Sequence, residues 1–329
     1  MKYIFFLLTS CLFLFSCSNS ETKDSSEITD PIEFLTLEIK EQPDNYKLYG
    51  QRAEIFLEQG KIDPAFRDVN KAINLKPDDA GLYIVLSDIY FVLGNKENSI
   101  SSLKKANSLE PKSELPLIKL SELYLMVQEY DKAHFFADKA ILLNINVAEP
   151  YYYKGLAYLE TMDTANAITN LRIASNLDTS NFAVNMQLGV IYYETSDSIS
   201  EIYLIKALNN QPTNPSALYY LGMLYQNNKE FDKALEVYSR LFNNNKSGKR
   251  AYYNSGYIYL VELHEYEKAE EMFKISIELD PNFVEAVYNL GRTYEEMADF
   301  DQARKYYNNA IELLPNYPLA VQGLNRLDN

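Results

Sequence analysis

Apolar and polar residues alternate in this chain in pairs of helix-length blocks. In Val284–Pro315 the first block carries Val287, Leu290, Gly291 and Tyr294, and the second carries Ala303, Tyr307, Ala310 and Leu313. A polar break near Ala298-Asp299-Phe300 separates them. Apolar residues three and four apart share one face of a helix, so the pattern predicts two helices joined by a short turn. Pro315 stops the second helix, because proline cannot continue a helix interior.

The same double block recurs along the chain. Its most regular feature is a ladder of small residues: Ala53, Ser87, Ser121, Gly155, Gly189, Gly222, Gly256 and Gly291, at steps of 34, 34, 34, 34, 33, 34 and 35. An aromatic follows each one three residues later: Phe56, Tyr90, Tyr124, Tyr158, Tyr192, Tyr225, Tyr259 and Tyr294. A fixed period of this length is the signature of a stacked repeat array. Glycine inside a helix costs about 0.5–1 kcal/mol relative to alanine, so close approach of two helices is the reason to expect it there. The second helix supplies small partners (Ala65, Ser99, Ala133, Ala167, Ser200, Ala234, Ala269, Ala303) and large fillers (Val69, Leu103, Leu171, Leu204, Tyr238, Phe273, Tyr307). The fifth unit is one residue short and the seventh one long, and both changes are expected in the turn between the two helices. After several terminal prolines an Asp or Asn is placed to cap the next helix, as in Pro43–Asn45, Pro77–Asp79 and Pro281–Phe283.

The small residue of the first helix, the aromatic three later, the two alanines of the second helix and the terminal proline together resemble the tetratricopeptide repeat (TPR) family. The resemblance runs from Tyr46 to about Tyr317. The proline is missing at Ile145, Thr179 and Lys246, and Leu241 stands where an alanine is expected. The resemblance implies an all-α fold: a right-handed TPR superhelix (α-solenoid) of about eight helix–turn–helix repeats over residues 46–317. Capping helices are expected at both ends, a leading one in 31–45 and a C-terminal one in 318–329, because terminal repeats would otherwise expose an apolar face.

The first twenty residues depart from this pattern. One lysine precedes an apolar run from Tyr3 to Phe15, too short for the roughly 20 residues that span a bilayer and matching the core of a secretory signal. Leu14-Phe15-Ser16-Cys17 resembles a bacterial lipobox, which implies a signal peptide over 1–16, acylation at Cys17 and a polar flexible tether over 17–30. The alternative is an ordinary signal cleaved near Ser16. Cleavage also removes Cys11, so a chain acylated at Cys17 has no thiol left for a disulfide. Ser18 after the cysteine resembles lipoproteins of the outer membrane, on a face the sequence leaves open. The expected location is the bacterial cell envelope.

The net charge of -15 disfavours nucleic acid and anionic head groups as partners. The two histidines, His134 and His264, fall in different units as surface or turn residues. There is no metal-ligand spacing, phosphate loop or nucleophile elbow, so no enzyme, cofactor or metal is expected. Two triplets, Asp163–Ala165 and Asp197–Ile199, resemble bacterial O-glycosylation sites, with a helix cap as the alternative.

Family geometry turns one surface of each first helix toward a concave groove. The residues it assigns there include Ile84, Ile118, Tyr152, Met186, Tyr219, Tyr253 and Tyr288, then Glu54, Asp88, Glu122, Met223 and Tyr257, then Phe91 and Tyr193. Tyrosine and methionine offer large or adaptable contact area, and the acidic row favours a basic residue in a ligand. The resemblance therefore implies a lipid-anchored scaffold or adaptor that binds an extended or helical protein segment, in assembly or secretion machinery. The alternatives are a structural subunit using other surfaces, or an enzyme with a site scattered along the groove. The first row holds Gly50, Ile84 and Ile118 in the first three units, so the Lys/Asn/Arg clamp by which some TPR domains hold a terminal carboxylate is not expected.

Overall fold

The computed structural model describes residues 30–242 and 248–328. The signal segment, Cys17, the tether up to Thr29, and Lys246 lie outside the described residues. Among those described there are eighteen α-helices, one π-helical stretch and no strand. They form two compact units, one running through Glu110 and the other from Pro111 onward.

In the first unit α1 (Pro31–Glu41) leads two helix pairs, α2 (Tyr46–Glu58) with α3 (Ile62–Leu75) and α4 (Ala80–Val92) with α5 (Lys96–Leu109). In the second, the pairs are α6 (Leu115–Met126) with α7 (Tyr130–Leu143), α8 (Ala148–Glu160) with α9 (Thr164–Leu177), and α10 (Phe182–Glu194) with α11 (Ser200–Asn210). Then come α12 (Pro215–Asn227) with α13 (Phe231–Ser239), α14 (Gly248–Tyr257) with α15 (Tyr266–Leu279), and α16 (Val284–Glu296) with α17 (Phe300–Leu313); α18 (Pro318–Leu327) comes last. Within each unit the first helix of a pair packs on its second helix, which packs on the first helix of the next pair. The all-α repeat architecture expected from the 34-residue period is therefore what the chain forms.

The glycine ladder is explained by what lies across the pair. A Cβ on Gly222 would stand 2.4 Å from the Tyr238 ring; on Gly155 or Gly189 it would stand 2.7 Å from Leu171 or Leu204. On Gly256 and Gly291 it would stand 2.9 and 2.8 Å from Phe273 and Tyr307. These facing side chains are fully buried. Where the ladder residue has a side chain, the residue 16 positions on is Val69 for Ala53, Leu103 for Ser87 and Ala137 for Ser121, and two of these three are smaller than any residue set opposite a glycine. The serines satisfy their hydroxyls inside the pair. Ser87 Oγ lies 2.8 Å from Ser99 Oγ, Ser121 donates to the Ala133 carbonyl, and Ser200 donates to that of Gly189.

Each turn between paired helices ends in one left-handed residue: Gly60, Gly94, Gln128, Met162, Ser196, Lys229, His264 and Ala298. The first helix closes there with the amide of the next residue donating back to the helix, as Lys61 does to Phe56 and Glu230 to Tyr225. This is the helix-ending motif that favours glycine, yet six of the eight positions are not glycine. The motif is held by its two flanking helices.

The two irregular repeats are absorbed differently. In the fifth, the missing residue tightens the start of α11, whose first amides bond three residues back (Ser200 to Asp197, Ile202 to Ile199). That change sits at the turn, as expected. In the seventh, the extra residue does not enter the turn. It widens the end of the first helix into a π-helical stretch, Ile258–Leu263, closed by left-handed His264. Of the expected caps, Asp79 accepts the Leu82 amide. Asn45 and Phe283 sit at the cap positions of α2 and α16 without a side-chain cap bond.

Candidate functional site

The first helices of three consecutive pairs in the second unit, α10, α12 and α14, carry the densest run of expected groove residues. Met186, Tyr193 and Tyr219 are half-buried against the cluster around Leu218, Leu221 and Tyr238. A cleft of about 460 Å³ opens beside them, lined by Tyr193, Pro215, Ser216, Tyr219, Tyr220, Met223, Lys249 and Arg250. The fold brings three expected residues together here: Tyr193, Tyr219 and Met223. Tyr220 joins them through an edge-on contact with Tyr193, ring centroids 5.4 Å apart. Tyr193 is further held by Asn227, whose Nδ2 donates to its hydroxyl at 3.2 Å.

Tyr220, Lys249 and Arg250 were not expected at this site. Pro215, Ser216, Lys249 and Arg250 occupy the first turns of α12 and α14, at the same two repeat positions 34 residues apart. The three rows of the family geometry begin further along each helix and so miss that turn. The available signal was "KSGKR" (Lys246–Arg250), a basic cluster in an acidic chain. Lys249 is tied down by an ion pair with Asp280 and sits over the Phe283 ring, 5.8 Å from its centroid. That pairing holds the Asp280 carboxyl below its ordinary range. Arg250 is exposed.

Other expected groove residues lie elsewhere. Tyr288 and Ile118 are buried, which corrects their assignment to an accessible surface. Tyr288 packs on Tyr307 and on Tyr317, so the chain's own C-terminal segment covers it. Ile118 packs with Leu117 and Ala140. Tyr253 accepts a hydrogen bond from Asn289 Nδ2 at 3.1 Å and lies against Phe283; burial pushes its hydroxyl up to about 12. Tyr257 is half-buried in the same cluster. Tyr152 is half-buried beside Tyr153, and burial raises its pKa. In the first unit Ile84 is half-buried and Phe91 is exposed. The acidic row divides between the units. Glu54 is exposed on α2, with its pKa raised by partial desolvation and by the Glu58 and Asp88 charges. Asp88 is half-buried on α4 and Glu122 half-buried on α6.

Among the described residues there is no group of three His, Cys, Asp or Glu side chains that could hold a metal, and no helix long and apolar enough to cross a membrane. His264 lies exposed at its turn, as expected. His134 does not: it sits on α7 with its ring 4.3 Å from that of Tyr158. Its Nδ1 is buried without a hydrogen-bond partner, and desolvation lowers its pKa. Its depressed folded pKa means the unfolded chain takes up this proton first. Stability from this group is therefore present above the unfolded value near 6.5 and declines as pH falls through it. His134→Phe should flatten that part of the stability curve between about pH 7 and 5, read by denaturant midpoints. An unchanged slope would mean that His134 is not responsible. Asp163 caps α9 by accepting the Asn166 amide, and Asp197 accepts the Ile199 amide. Thr164 and Ser198 beside them are exposed.

Comparison with known proteins places this geometry. Tetratricopeptide repeat family models match residues 46–79, 80–113, 203–236, 249–283 and 284–317, together just over half of the chain. Among solved structures, the C-terminal part of a TPR repeat-containing protein from Cytophaga hutchinsonii superposes with a TM-score of 0.61 at 20% identity, covering 73% of this chain and 98% of that one. YrrB, described as a TPR protein with an unusual peptide-binding site, gives a TM-score of 0.43 at 22% identity over 68% of this chain and 97% of its own. Among curated proteins, anaphase-promoting complex subunit 3 of Schizosaccharomyces pombe is 21% identical over 171 residues, 52% of this chain. The matched region spans only 26% of that relative's length.

Proposed function

Since the chain belongs to the tetratricopeptide repeat family, we propose that it is a protein-binding scaffold whose inner surface on α10, α12 and α14 receives a segment of a partner. The cleft carries this reading. Tyr193, Tyr219, Tyr220 and Met223 meet there with one side still open, and aromatic side chains in such a setting supply large contact area at little entropic loss. A packing role alone would bury these side chains, as it does Tyr288. The lipobox-like stretch ending in Cys17 supports attachment to a bacterial envelope membrane through acyl chains, because two or more chains hold a protein stably at a membrane. Assembly or secretion machinery is the setting in which such an anchored scaffold would act.

A second reading rests on the opposite helix surface. On α7 and α11, Phe135 and Ile202 are 52% and 56% exposed at equivalent repeat positions, where α13 and α15 carry Glu236 and Glu271. A structural subunit would use that face. Crosslinked capture from native envelopes separates the two. Partners held by the wild type should be lost from Tyr219→Ala/Met223→Ala and kept by Phe135→Ser/Ile202→Ser. The reverse pattern would transfer function to the outer face. For the anchor, Cys17→Ala should move the protein from the membrane to the soluble fraction; retention in the membrane would refute acylation there.

A further inference from the structure

We infer that the cleft selects a partner segment carrying a carboxylate side chain next to an apolar or aromatic one. This rests on the reading of the cleft as a binding surface and names the chemistry it would accept. The chain is acidic overall, yet the wall formed by the first turn of α14 presents two adjacent cations. The positions equivalent to Lys249 and Arg250 hold Ala148 and Glu149 in α8, Phe182 and Ala183 in α10, Pro215 and Ser216 in α12, and Val284 and Glu285 in α16. Among these helices the basic pair is particular to the cleft.

The two cations have different tasks. Asp280 already neutralises Lys249 and fixes it against Phe283. Arg250 is exposed, has no ion-pair partner among the described residues, and lines the cleft. A guanidinium presents a planar fork of donors that matches a carboxylate with two parallel hydrogen bonds. An exposed charge pair adds little affinity by itself, so the ligand must also fill the space between Tyr193, Tyr219 and Met223. A volume of about 460 Å³ admits a few side chains, as small-ligand pockets of roughly 300–1,000 Å³ do. The preference is the opposite of the one suggested by the acidic row: Glu54 and Asp88 belong to the first unit, and among the described residues no carboxylate lines the cleft.

The test is a selection of random twelve-residue peptides displayed on phage against the full chain in detergent. The strongest sequence is then synthesised with an amidated C-terminus and measured by fluorescence anisotropy. Enriched peptides should carry Asp or Glu within three residues of Phe, Tyr, Leu or Met. Arg250→Glu should weaken the synthetic peptide about tenfold, and so should Asn or Gln in place of its carboxylate. Tyr219→Ala should weaken it as well. Enrichment of neutral or basic peptides would overturn the inference, as would binding that requires a free terminal carboxylate. Sensitivity to Tyr219→Ala without sensitivity to Arg250→Glu would leave the binding surface standing and remove the charge preference. Failure to enrich any sequence, or indifference to both substitutions, would remove the binding surface and the inference together.

Discussion

Tyr238→Ala is expected to lower the stability of the second unit by about 3–5 kcal/mol, the range for removing a large aromatic from a packed core. The ring is fully buried against Gly222. Its hydroxyl donates to Gln226 Oε1 at 2.9 Å and accepts from Asn254 Nδ2 at 3.1 Å. Truncation therefore opens a cavity and strips partners from two amides. The same geometry predicts that Gly222→Ala also destabilises, although alanine is the better helix former. Its Cβ would fall 2.4 Å from a ring that those hydrogen bonds hold in place. Overpacking of this kind costs about 1–3 kcal/mol, more than the roughly 0.5–1 kcal/mol gained in helix propensity. Tyr238→Val should relieve the clash, because Ala53 and Val69 already form that pair in the first repeat. Denaturant unfolding of the four-member cycle should show Gly222→Ala destabilising beside Tyr238 and neutral or stabilising beside Val. If alanine is tolerated beside Tyr238, the ladder is not a record of close approach.

The second large effect is expected in the first unit. Arg52 donates from Nε and Nη2 to the two Asp68 oxygens at 2.6 and 2.9 Å, and from Nη1 to Thr36 Oγ1 at 2.9 Å. One guanidinium thus ties α1, α2 and α3 together. Asp68 hydrogen bonding holds it protonated more firmly than an ordinary arginine. Removing one partner of a buried pair costs about 3–5 kcal/mol. The side chains here remain 16% and 11% exposed, so Asp68→Ala should lose about 2–3 kcal/mol. Arg52→Met/Asp68→Leu should recover most of the loss, since apolar replacement of both partners is often neutral. Thermal and denaturant unfolding of the wild type and the two variants decides it. A double variant as damaged as the single one would mean that the arginine acts through Thr36 and the packing of α1 instead.

Much of the fold could be read directly because each repeat writes the same contact again. A close approach of two helices admits only short side chains, so Gly155, Gly189, Gly222, Gly256 and Gly291 leave a trace at a fixed interval. The facing residue leaves its own trace 15 to 17 positions on. The pairing of Ala53 with Val69 and of Gly222 with Tyr238 is legible in the same way once the offset is known, because the two side chains share the narrow space between paired helices. The left-handed turn position was not legible. Gln128, Met162, Ser196, Lys229, His264 and Ala298 all occupy it, and none signals that conformation as a glycine would. Packing of two helices over a short connection imposes it there.

The candidate site divides along the same line. Sequence periodicity determined the helix on which each candidate lies, and the family resemblance grouped Tyr193, Tyr219 and Met223, which meet in one cleft. It could not determine which of those side chains stay accessible. Tyr219 and Tyr288 hold the same position in their repeats, yet Tyr219 lines an open cleft while Tyr317 covers Tyr288. The difference lies in the element that docks after each helix pair: another repeat in one case, the C-terminal segment in the other. Repeat position is a local property of the chain, set by helix geometry and side-chain size. Exposure depends on the neighbour that packs against it, so only the tertiary structure placed Arg250 beside the tyrosines and buried Tyr288.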